Sequence, residues 1–395
     1  MADLIRSRMN ENTLEIYLAG RIDSLNSAQL QKETEAACSE HSFDHLILDA
    51  GDLAYISSAG LRVILRLWRR FSDLKIVNVS RRVYDILETT GFTEMLPVER
   101  AMRCVSVDGC EVIGRGANGI VYRVDRDTIV KVYLNADALP DIRRERELAR
   151  KAFILGIPTA ISYDVVKVGD TYGSVFELLN ADSFTEIISR EPERTDEIVA
   201  LYVELLKKIH STEVQPEDMP DQKRIVLKWA DDIREYLNPE KWRKLYSLIE
   251  AVPENHHMIH GDYHTKNVMM MDGEVILIDM DTLCFGDPVF EFASIFNSYA
   301  GFYEGRNVVP GLSFIGLTME KSLEVYNKTL SMYFGTNDKT YLKTVNEKAS
   351  LIGYTRLLRR TIRRCDMNDP EEKAAVQFYI RTIEYLLDRV DTLLL

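Results

Sequence analysis

The sequence has no uninterrupted apolar run of about 18 residues, which is the length that a membrane-spanning helix needs. Its first residues, MADLIRSRMNEN, lack the apolar centre of a secretory signal peptide. Cysteine is scarce as well. The five cysteines are scattered and form no C-x-x-C pair, which argues against both a disulfide framework and a zinc site. We therefore expect a cytoplasmic protein.

Basic residues are in the minority. The chain has 49 Lys and Arg against 62 Asp and Glu, which gives a formal net charge of −13. A surface of this sign repels nucleic acids and anionic membranes, so neither is expected as a partner. With 395 residues, 46% of them hydrophobic and 28% charged, the chain is long enough for two or three globular domains, each with its own core.

The beginning of the chain alternates short strands with helices. Alternating apolar side chains and short apolar runs indicate strands, and apolar residues at helical spacing indicate helices. The predicted strands are 13–20, 45–49 and 74–79, and the predicted helices are 27–38, 61–71 and 82–90. Alternation at these lengths favours a small α/β domain in which helices cover a sheet.

Two motifs stand out in this region, GRID at 20–23 and DAGDLAYISSAGL at 49–61. They resemble the STAS domain, the fold of bacterial anti-sigma factor antagonists. The resemblance covers residues 1–100 and implies a protein partner. It also implies that Ser58, two residues before Gly60, is a candidate site of regulatory phosphorylation.

The serines before this glycine have a structural interpretation, which we place first. Ser57 and Ser58 precede a predicted helix, where a hydroxyl group can accept a backbone N–H as an N-cap. Capping and phosphorylation are compatible, because a phosphate at a helix N-terminus meets unpaired N–H groups and a favourable dipole. The STAS family often has Asp immediately before the phosphorylated serine, and this chain has Ser57 there.

A glycine-rich pattern follows residues 101–108, which carry little periodicity and are predicted to be a linker. Gly114, Gly116 and Gly119 fit G-x-G-x-x-G-x-V between two strand-like runs. A dinucleotide site would need a helix directly after the glycines, and a strand follows here instead. The pattern therefore predicts a β-hairpin whose backbone can approach phosphates closely.

A single lysine, Lys131, lies inside the apolar strand 128–133. Its position after the glycines is where nucleotide kinases keep the lysine that binds the α- and β-phosphates, and we assign it that role. The predicted helix 141–153 can supply the carboxylate that fixes such a lysine. Glu145 is our choice, and Glu147 is the alternative.

A hinge is predicted at the end of the strand 173–179. Polar residues follow this apolar strand, as expected where the adenine of a nucleotide hydrogen-bonds to the backbone. We therefore assign Glu177 and Leu179 to nucleotide binding, their side chains being incidental.

One stretch carries residues that phosphoryl transfer can use directly. His260-Gly261-Asp262 is followed five residues later by Asn267, and a short apolar strand then ends in Asp279. A carboxylate at Asp262 can hold an acceptor hydroxyl in line with a phosphorus atom. Asn267 and Asp279 are hard oxygen ligands that can share Mg²⁺ with the phosphates of a nucleotide.

The motifs of this part of the chain, in order, are the glycine pattern, Lys131, HGDYHTKN at 260–267, Ile278-Asp279 and Gly286-Asp287-Pro288. Together they resemble the aminoglycoside phosphotransferase and choline kinase family, the small-molecule branch of the protein-kinase-like fold. The resemblance spans about residues 105–395. It implies an α+β domain of two lobes, an N-lobe at 109–180 and a helical C-lobe at 181–395.

The resemblance also implies a role for each matching residue. Asp262 would be the catalytic base, and His264 would lie beside the transferring phosphoryl group. Asn267 and Asp279 would bind Mg²⁺, Lys131 would bind the phosphates of ATP, and a small molecule would supply the acceptor hydroxyl. The loop reads His-Gly-Asp rather than His-Arg-Asp and no Ala-Pro-Glu follows Asp279, which favours the small-molecule branch over protein kinases.

Other side chains near these motifs have simpler interpretations. His260 is expected to anchor the loop through hydrogen bonds, and Asp281 to be an exposed turn carboxylate, with a metal contact as the alternative. Relatives commonly have Asp at the position of Glu291. A stripe of arginines at helical spacing is expected to be a solvated face, with an anionic acceptor or an interdomain contact as the alternative. Its members are Arg356, Arg359, Arg360, Arg363 and Arg364.

Three functions fit these motifs. The first is an ATP- and Mg²⁺-dependent phosphotransferase acting on a small-molecule hydroxyl, with a regulatory STAS-like module. The second is a signalling kinase that phosphorylates a protein, for instance at Ser58. The third is a nucleotide-sensing scaffold without catalysis, and the intact set of Asp262, Asn267 and Asp279 favours the two enzymes over it.

Overall fold

The structure, a computed structural model, describes residues 4–116, 118–304, 313–364 and 369–395. The chain forms two compact units, one of residues up to Ser106 together with Val166–Gly169, the other of the remaining residues. Among the helices that are described, none combines the length and the apolar character that crossing a membrane requires.

The first unit is the predicted α/β domain, a five-stranded sheet with helices. In spatial order the strands are β1 (Ile5–Asn10), β2 (Thr13–Ile22), β3 (His45–Ile56), β4 (Leu74–Val79) and β5 (Val98–Arg100). The helices are α1 (Ser27–Glu40), α2 (Ser58–Arg70), α3 (Arg81–Thr89) and α4 (Phe92–Met95). Strand β1 runs antiparallel to β2, and the other neighbouring strands are parallel.

The start of helix α2 packs closely on the ends of two strands, and Gly60 makes this approach possible. A β-carbon at Gly60 would lie 2.5 Å from the side chain of Ile22 and 2.7 Å from that of Ile56. Both isoleucines are buried in the core of the unit. The glycine of the predicted STAS motif is therefore required by packing.

The second unit begins with a five-stranded sheet and one helix. The strands are β6 (Glu111–Arg115), β7 (Gly119–Arg123), β8 (Thr128–Tyr133), β9 (Asp164–Val168) and β10 (Thr171–Glu177), in the spatial order β6-β7-β8-β10-β9. Residues 166–168 of β9 are the part of this sheet that is grouped with the first unit. The helix is α5 (Leu139–Ile154). Strands β6 and β7 pair antiparallel, so the glycine pattern forms the hairpin that the sequence predicts.

The rest of the second unit is largely helical, with five short strands among the described residues. The strands are β11 (Asp182–Ser183), β12 (Met258–Ile259), β13 (Val268–Met271), β14 (Glu274–Leu277) and β15 (Cys284–Phe285). The helices are α6 (Phe184–Arg190), α7 (Thr195–Ser211), α8 (Gln222–Asp232), α9 (Pro239–Glu250), α10 (Pro288–Phe296), α11 (Phe302–Glu304), α12 (Met319–Phe334), α13 (Lys339–Arg364) and α14 (Pro370–Leu387). This is the expected α+β domain with a helical C-terminal lobe.

Helix α7 holds the loop that follows β12 through a pair of tyrosines. The Tyr202 hydroxyl donates to the carbonyl of Tyr263 at 3.0 Å, and the Tyr263 hydroxyl donates to the carbonyl of Tyr202 at 2.7 Å. Their rings stack at a centroid distance of 4.4 Å, and both side chains are fully buried. The reciprocal bonds satisfy two buried hydroxyl groups and fix the loop against the core.

Candidate active site

The hairpin of β13 and β14 places Asn267 and Asp279 side by side. Val268 pairs with Leu277, and the Ile278 amide donates to the carbonyl of Asn267 at 2.9 Å. Both predicted metal ligands therefore lie at the open end of one hairpin. Asp279 has a φ of +63°, a left-handed conformation that residues other than glycine rarely adopt. Such conformations are concentrated at functional sites.

Lys131 on β8 joins this hairpin to helix α5. Its ammonium lies 2.8 Å from Oδ1 of Asp279 and 3.1 Å from Oε1 of Glu145. The Tyr133 hydroxyl donates to Oε2 of Glu145 at 2.7 Å and so holds that carboxylate in place. Of the two predicted partners of the lysine, Glu145 is the one in contact, whereas Glu147 is exposed.

Asp262 occupies the loop after β12 and is connected to Asn267. The side-chain nitrogen Nδ2 of Asn267 donates to the backbone carbonyl of Asp262 at 3.0 Å. The side-chain oxygen of Asn267 is thereby left to bind a cation. Nε2 of His264 lies 3.6 Å and Nη2 of Arg356 lies 3.9 Å from the Asp262 carboxylate. Burial alone would raise the pKa of Asp262, but His264 and Arg356 outweigh it and lower the pKa. Asp262 is therefore a carboxylate anion at neutral pH.

Glu291 on α10 braces this loop from the buried side. Its carboxylate, which is fully buried, accepts the backbone N–H of His260 at 2.5 Å and of Gly261 at 3.0 Å. The Ser294 hydroxyl donates to the carbonyl of Gly261 at 2.9 Å. Glu291 therefore fixes the backbone of the loop from the buried side.

Gly261 needs to be glycine for two reasons. Its φ is +79°, and a β-carbon there would lie 2.7 Å from the carbonyl oxygen of Thr282. His260 beside it acts as an anchor, as expected: its carbonyl accepts the Thr282 hydroxyl at 2.8 Å and its Nδ1 accepts the Asp262 amide at 3.3 Å. These contacts fix the direction in which the Asp262 side chain points.

The tip of the glycine hairpin reaches the same region. The amide nitrogen of Asn118 lies 3.3 Å from Oδ2 of Asp281. A β-carbon at Gly119 would lie 2.6 Å from the carbonyl oxygen of Val132, so packing requires this glycine. At Gly114 and Gly116 the nearest atoms would be 3.6 Å and 3.8 Å away, which is ordinary contact. The protein itself therefore does not require glycine at those two positions.

Asp281 differs from the expectation of an exposed turn carboxylate. It is half-buried in a short 3-10 turn that follows Asp279 directly. Burial, together with the nearby carboxylates of Asp279 and Glu145, raises the pKa of Asp281 to about 7. The turn is folded toward the site, because α5 packs against it. The sequence alone does not indicate this direction.

A cavity of about 380 Å³ lies between the hairpin tip and α5. Asn118, Tyr133, Glu145 and Asp281 are among the residues that line it. Of these residues, Glu145 also contacts Lys131. The predicted hinge residues lie at the other end of the sheet: Glu177 ends β10, and the amide of Leu178 donates to the carbonyl of Asp127 at 2.9 Å. Leu179 follows directly and is half-buried.

The donor set at the hairpin fits a magnesium ion that is shared with phosphates. Within the described part of the chain, no group of three or more His, Cys, Asp or Glu is arranged to hold a metal on its own. Mg²⁺ bound with a nucleotide needs only one or two protein oxygens, since phosphates and water complete its shell. Asn267 and Asp279 can supply those oxygens.

In the first unit, Ser57 and Ser58 have different environments. The Ser57 hydroxyl accepts the backbone N–H of Ala59 at 3.3 Å and is the N-cap of α2. Ser58 is the first residue of the helix, and its side chain is exposed. The capping expectation therefore applies to Ser57, and the hydroxyl of Ser58 is accessible.

Sequence reasoning missed two contributors to the site. Tyr133 holds Glu145, and its only signal is its place two residues after Lys131, on the same face of the strand. The arginine stripe predicts a solvated face first, but Arg356 in it donates to the carbonyl of Gly261 at 3.0 Å. The helical spacing of the arginines predicts that they share one face of a helix. It does not predict which part of the protein packs against that face.

A model of the phosphotransferase enzyme family, APH, matches residues 109–313. The chain belongs to this phosphotransferase family. A STAS-domain model matches residues 5–103. The ADP-bound crystal structure of the aminoglycoside phosphotransferase APH(2'')-Ib has 15% sequence identity and a TM-score of 0.50, covering 77% of this chain and 98% of that one. This likeness shows the kinase-like fold of the phosphotransferase.

The STAS domain of this phosphotransferase is similar to curated bacterial proteins. BtrV of Bordetella bronchiseptica, a candidate anti-sigma factor antagonist, is 35% identical over 85 residues, which are 20% of this chain and 72% of BtrV. The anti-sigma F factor antagonist of Paenibacillus polymyxa is 21% identical over 98 residues, 24% of this chain and 84% of that protein. The chain therefore joins a STAS domain to a kinase-type phosphotransferase domain.

Proposed function

We propose that this phosphotransferase transfers the γ-phosphate of ATP to a hydroxyl group of a small molecule and uses Mg²⁺. One observation carries the proposal: Lys131 contacts both Glu145 and Asp279, the Ile278 amide beside Asp279 donates to the carbonyl of Asn267, and Asn267 in turn donates to Asp262. These residue types in this arrangement can bind phosphates and a divalent cation and can orient an alcohol. The similar APH(2'')-Ib is ADP-bound, which supports an adenine nucleotide as donor.

Each residue then has a role in the transfer. The Lys131 ammonium neutralises phosphate charge, and Asn267 and Asp279 hold Mg²⁺, which when bound neutralises charge between the phosphates. The Asp262 carboxylate accepts a hydrogen bond from the acceptor hydroxyl and aligns its oxygen. The hydroxyl oxygen of the acceptor forms a bond to the γ-phosphorus. At the same time the bond breaks between the γ-phosphorus and the oxygen that bridges it to the β-phosphate. ADP leaves, and the hydroxyl proton passes through Asp262 to solvent.

Positioning accounts for much of the expected catalysis. The pKa of Asp262 is lowered, which makes this carboxylate a weak base. Its main contribution is therefore to orient the acceptor hydroxyl, and the proton leaves late in the transfer. His264 lies beside Asp262, where it can contact the transferring phosphoryl group. Gly114, Gly116 and Gly119 form the hairpin that covers the phosphates, and the backbone at Glu177 and Leu179 binds the adenine.

The first test separates nucleotide binding from transfer. Asp262→Asn keeps the shape of the side chain but removes its charge. We expect this variant to bind ATP with Mg²⁺ about as tightly as the natural protein in calorimetry and to lose transfer by about a hundredfold or more. Transfer would be measured as ATP consumption with choline, amino sugars, sugars and nucleosides. Undiminished consumption by Asp262→Asn would remove this residue from the mechanism.

The exposed hydroxyl of Ser58 favours a second candidate function, phosphorylation of a protein serine. In that case the STAS domain would be a substrate as well as a module that binds a protein partner. Incubation of the full chain with labelled ATP and the small molecules named above distinguishes the two candidates. Label in small molecules supports the first function, and label on Ser58 supports the second.

A further inference from the structure

Asn118 lies at the tip of the glycine hairpin, where backbone contacts fix its position. The amide of Gly116 donates to the carbonyl of Gly119 at 2.9 Å and closes the tip. The amide of Leu134, directly after β8, donates to the carbonyl of Asn118 at 3.1 Å. Gly119 also packs closely against the carbonyl of Val132 in β8. The backbone of the tip is therefore held by the end of β8.

Asp281 lies in a turn that is fixed to the loop after β12. This turn, Met280–Thr282, directly follows the predicted metal ligand Asp279. The hydroxyl of Thr282 donates to the carbonyl of His260 in the loop at 2.8 Å. Because both ends of the turn are tied to the site, Asp281 keeps a defined position relative to Asp279 and to the loop.

A hydrogen bond joins the hairpin tip to this turn. Nδ2 of Asn118 donates to Oδ2 of Asp281 at 3.3 Å, although 163 positions separate the two residues in the chain. The ammonium of Lys131 is shared by the carboxylates of Asp279 and Glu145. The carboxylate of Asp281 instead accepts its hydrogen bond from the hairpin. This bond therefore sets the distance between the glycine backbone and the groups that would hold phosphate and metal.

The bond between Asn118 and Asp281 is accessible to water. Asn118 is exposed and Asp281 is half-buried, and both line the cavity of about 380 Å³ between the hairpin tip and α5. A single hydrogen bond in such a place shifts an equilibrium by about threefold to tenfold. It is therefore strong enough to favour one position of the hairpin and weak enough to break when a nucleotide enters or leaves.

We propose that Asp281 is a positioning residue for nucleotide binding: by accepting a hydrogen bond from Asn118, it holds the glycine hairpin where its backbone meets the phosphates of ATP. The inference rests on the proposed function and adds a residue that acts through the hairpin. When this bond is removed, the hairpin occupies the binding position for a smaller fraction of the time. The apparent affinity for the nucleotide falls in proportion to that fraction.

A double-mutant cycle on the full chain tests the hydrogen bond. The variants are Asn118→Ala, Asp281→Ala and the two together. Calorimetry measures the affinity for ATP with Mg²⁺, and stopped-flow fluorescence measures how fast the N-methylanthraniloyl derivative of ADP dissociates. We expect each single variant to bind ATP about threefold to tenfold more weakly and to release the ADP derivative faster. The double variant should lose no more than either single one, because both changes remove the same bond.

A conservative variant separates the hydrogen bond from the charge of Asp281. In Asp281→Asn the side-chain oxygen can still accept from Asn118, so most of the ATP affinity should be kept. An Asp281→Asn variant that binds ATP as weakly as Asp281→Ala would assign the effect to the charge and overturn the inference. Asp141→Asn is the matched control, because it removes another, exposed carboxylate from the lining of the same cavity. Its affinity should stay within about twofold of the natural protein.

The remaining results also lead to distinct conclusions. If the natural protein binds ATP and Asn118→Ala binds it equally well, the inference is overturned and the proposed function stands. Losses that add up in the double variant have the same meaning, since the two side chains would then act separately. Because Asn118 is exposed, Asn118→Ala decides the question even if Asp281→Ala does not fold. A natural protein that binds no ATP with Mg²⁺ would overturn the proposed function, and the inference with it.

Discussion

The ammonium of Lys131 lies 2.8 Å from the carboxylate of Asp279, which is 148 residues further along the chain. Glu145 approaches the same ammonium from α5 at 3.1 Å. Burial alone would lower the pKa of Lys131, but the two carboxylates outweigh it and raise the pKa. The lysine is therefore a cation that ties the strand β8 to the end of the hairpin of β13 and β14.

The partner of this lysine can be tested by a matched pair of variants. Glu145→Gln removes one carboxylate from Lys131 while Asp279 remains, so we expect transfer to fall by about tenfold to a hundredfold. Glu147→Gln changes an exposed side chain that lies 3.9 Å from Arg150, and its activity should stay within about twofold. ATP turnover of both variants, at equal thermal stability, is the measurement. Equal losses in both would contradict the assignment of Glu145.

The glycine hairpin allows packing and ligand binding to be separated. A β-carbon at Gly119 would clash with the carbonyl of Val132, so Gly119→Ala should destabilise the second unit by about 1–3 kcal/mol. Gly114→Ala meets Val121 at an ordinary 3.6 Å and should leave thermal unfolding unchanged. We nevertheless expect Gly114→Ala to bind ATP more weakly than the natural protein, because a methyl group there hinders the approach of the backbone to the phosphates. Calorimetry measures this affinity. Unchanged ATP affinity in Gly114→Ala would leave the hairpin without a role in binding.

The choice between Glu145 and Glu147 as partner of Lys131 can be predicted from the local sequence pattern. Ile142 and Ala149 are buried, and Glu145 lies between them at helical spacing, so the apolar stripe of α5 already indicates which glutamate faces the sheet. The contact of Arg356 with Gly261, in contrast, joins residues 95 positions apart. It depends on how α13 packs against the loop, and no local pattern specifies that packing.

The difference between local patterns and long-range packing also explains which other predictions agree with the structure. The hairpin, the lysine strand and the ends of β13 and β14 follow from local periodicity and turn residues, and the two family resemblances indicated the fold around them. The exposed position expected for Asp281 is wrong, because a short turn after Asp279 can point to solvent or toward the site with the same residues. Its direction is decided by the packing of α5 and by the tip of the hairpin at Asn118.

The buried Glu291 offers a test of the loop brace. Its two oxygens accept two backbone N–H groups, and Glu291→Gln would turn one acceptor into a donor that faces an N–H. We expect a loss of roughly 1–3 kcal/mol in stability and slower transfer. Glu291→Asp keeps both acceptors and the charge, so it should lose less. Urea unfolding and ATP turnover measure the two effects. A glutamine variant as stable and active as the natural protein would contradict the brace.

The serines at the start of α2 should respond differently to the same substitution. Ser57→Ala removes the cap of the helix and should lower the stability of the first unit by about 1 kcal/mol. Ser58→Ala changes an exposed side chain and should leave thermal unfolding nearly unchanged.

Phosphate incorporation should show the reverse order. The hydroxyl of Ser58 is exposed, whereas that of Ser57 is engaged with the Ala59 amide, so phosphate on this segment is expected on Ser58. Phosphopeptide mass spectrometry of the full chain after incubation with ATP measures it, and Ser58→Ala should then remove the signal. Phosphate found on Ser57 would mean that the cap opens before modification, because a hydroxyl that is still bonded to the helix end is not presented to a kinase.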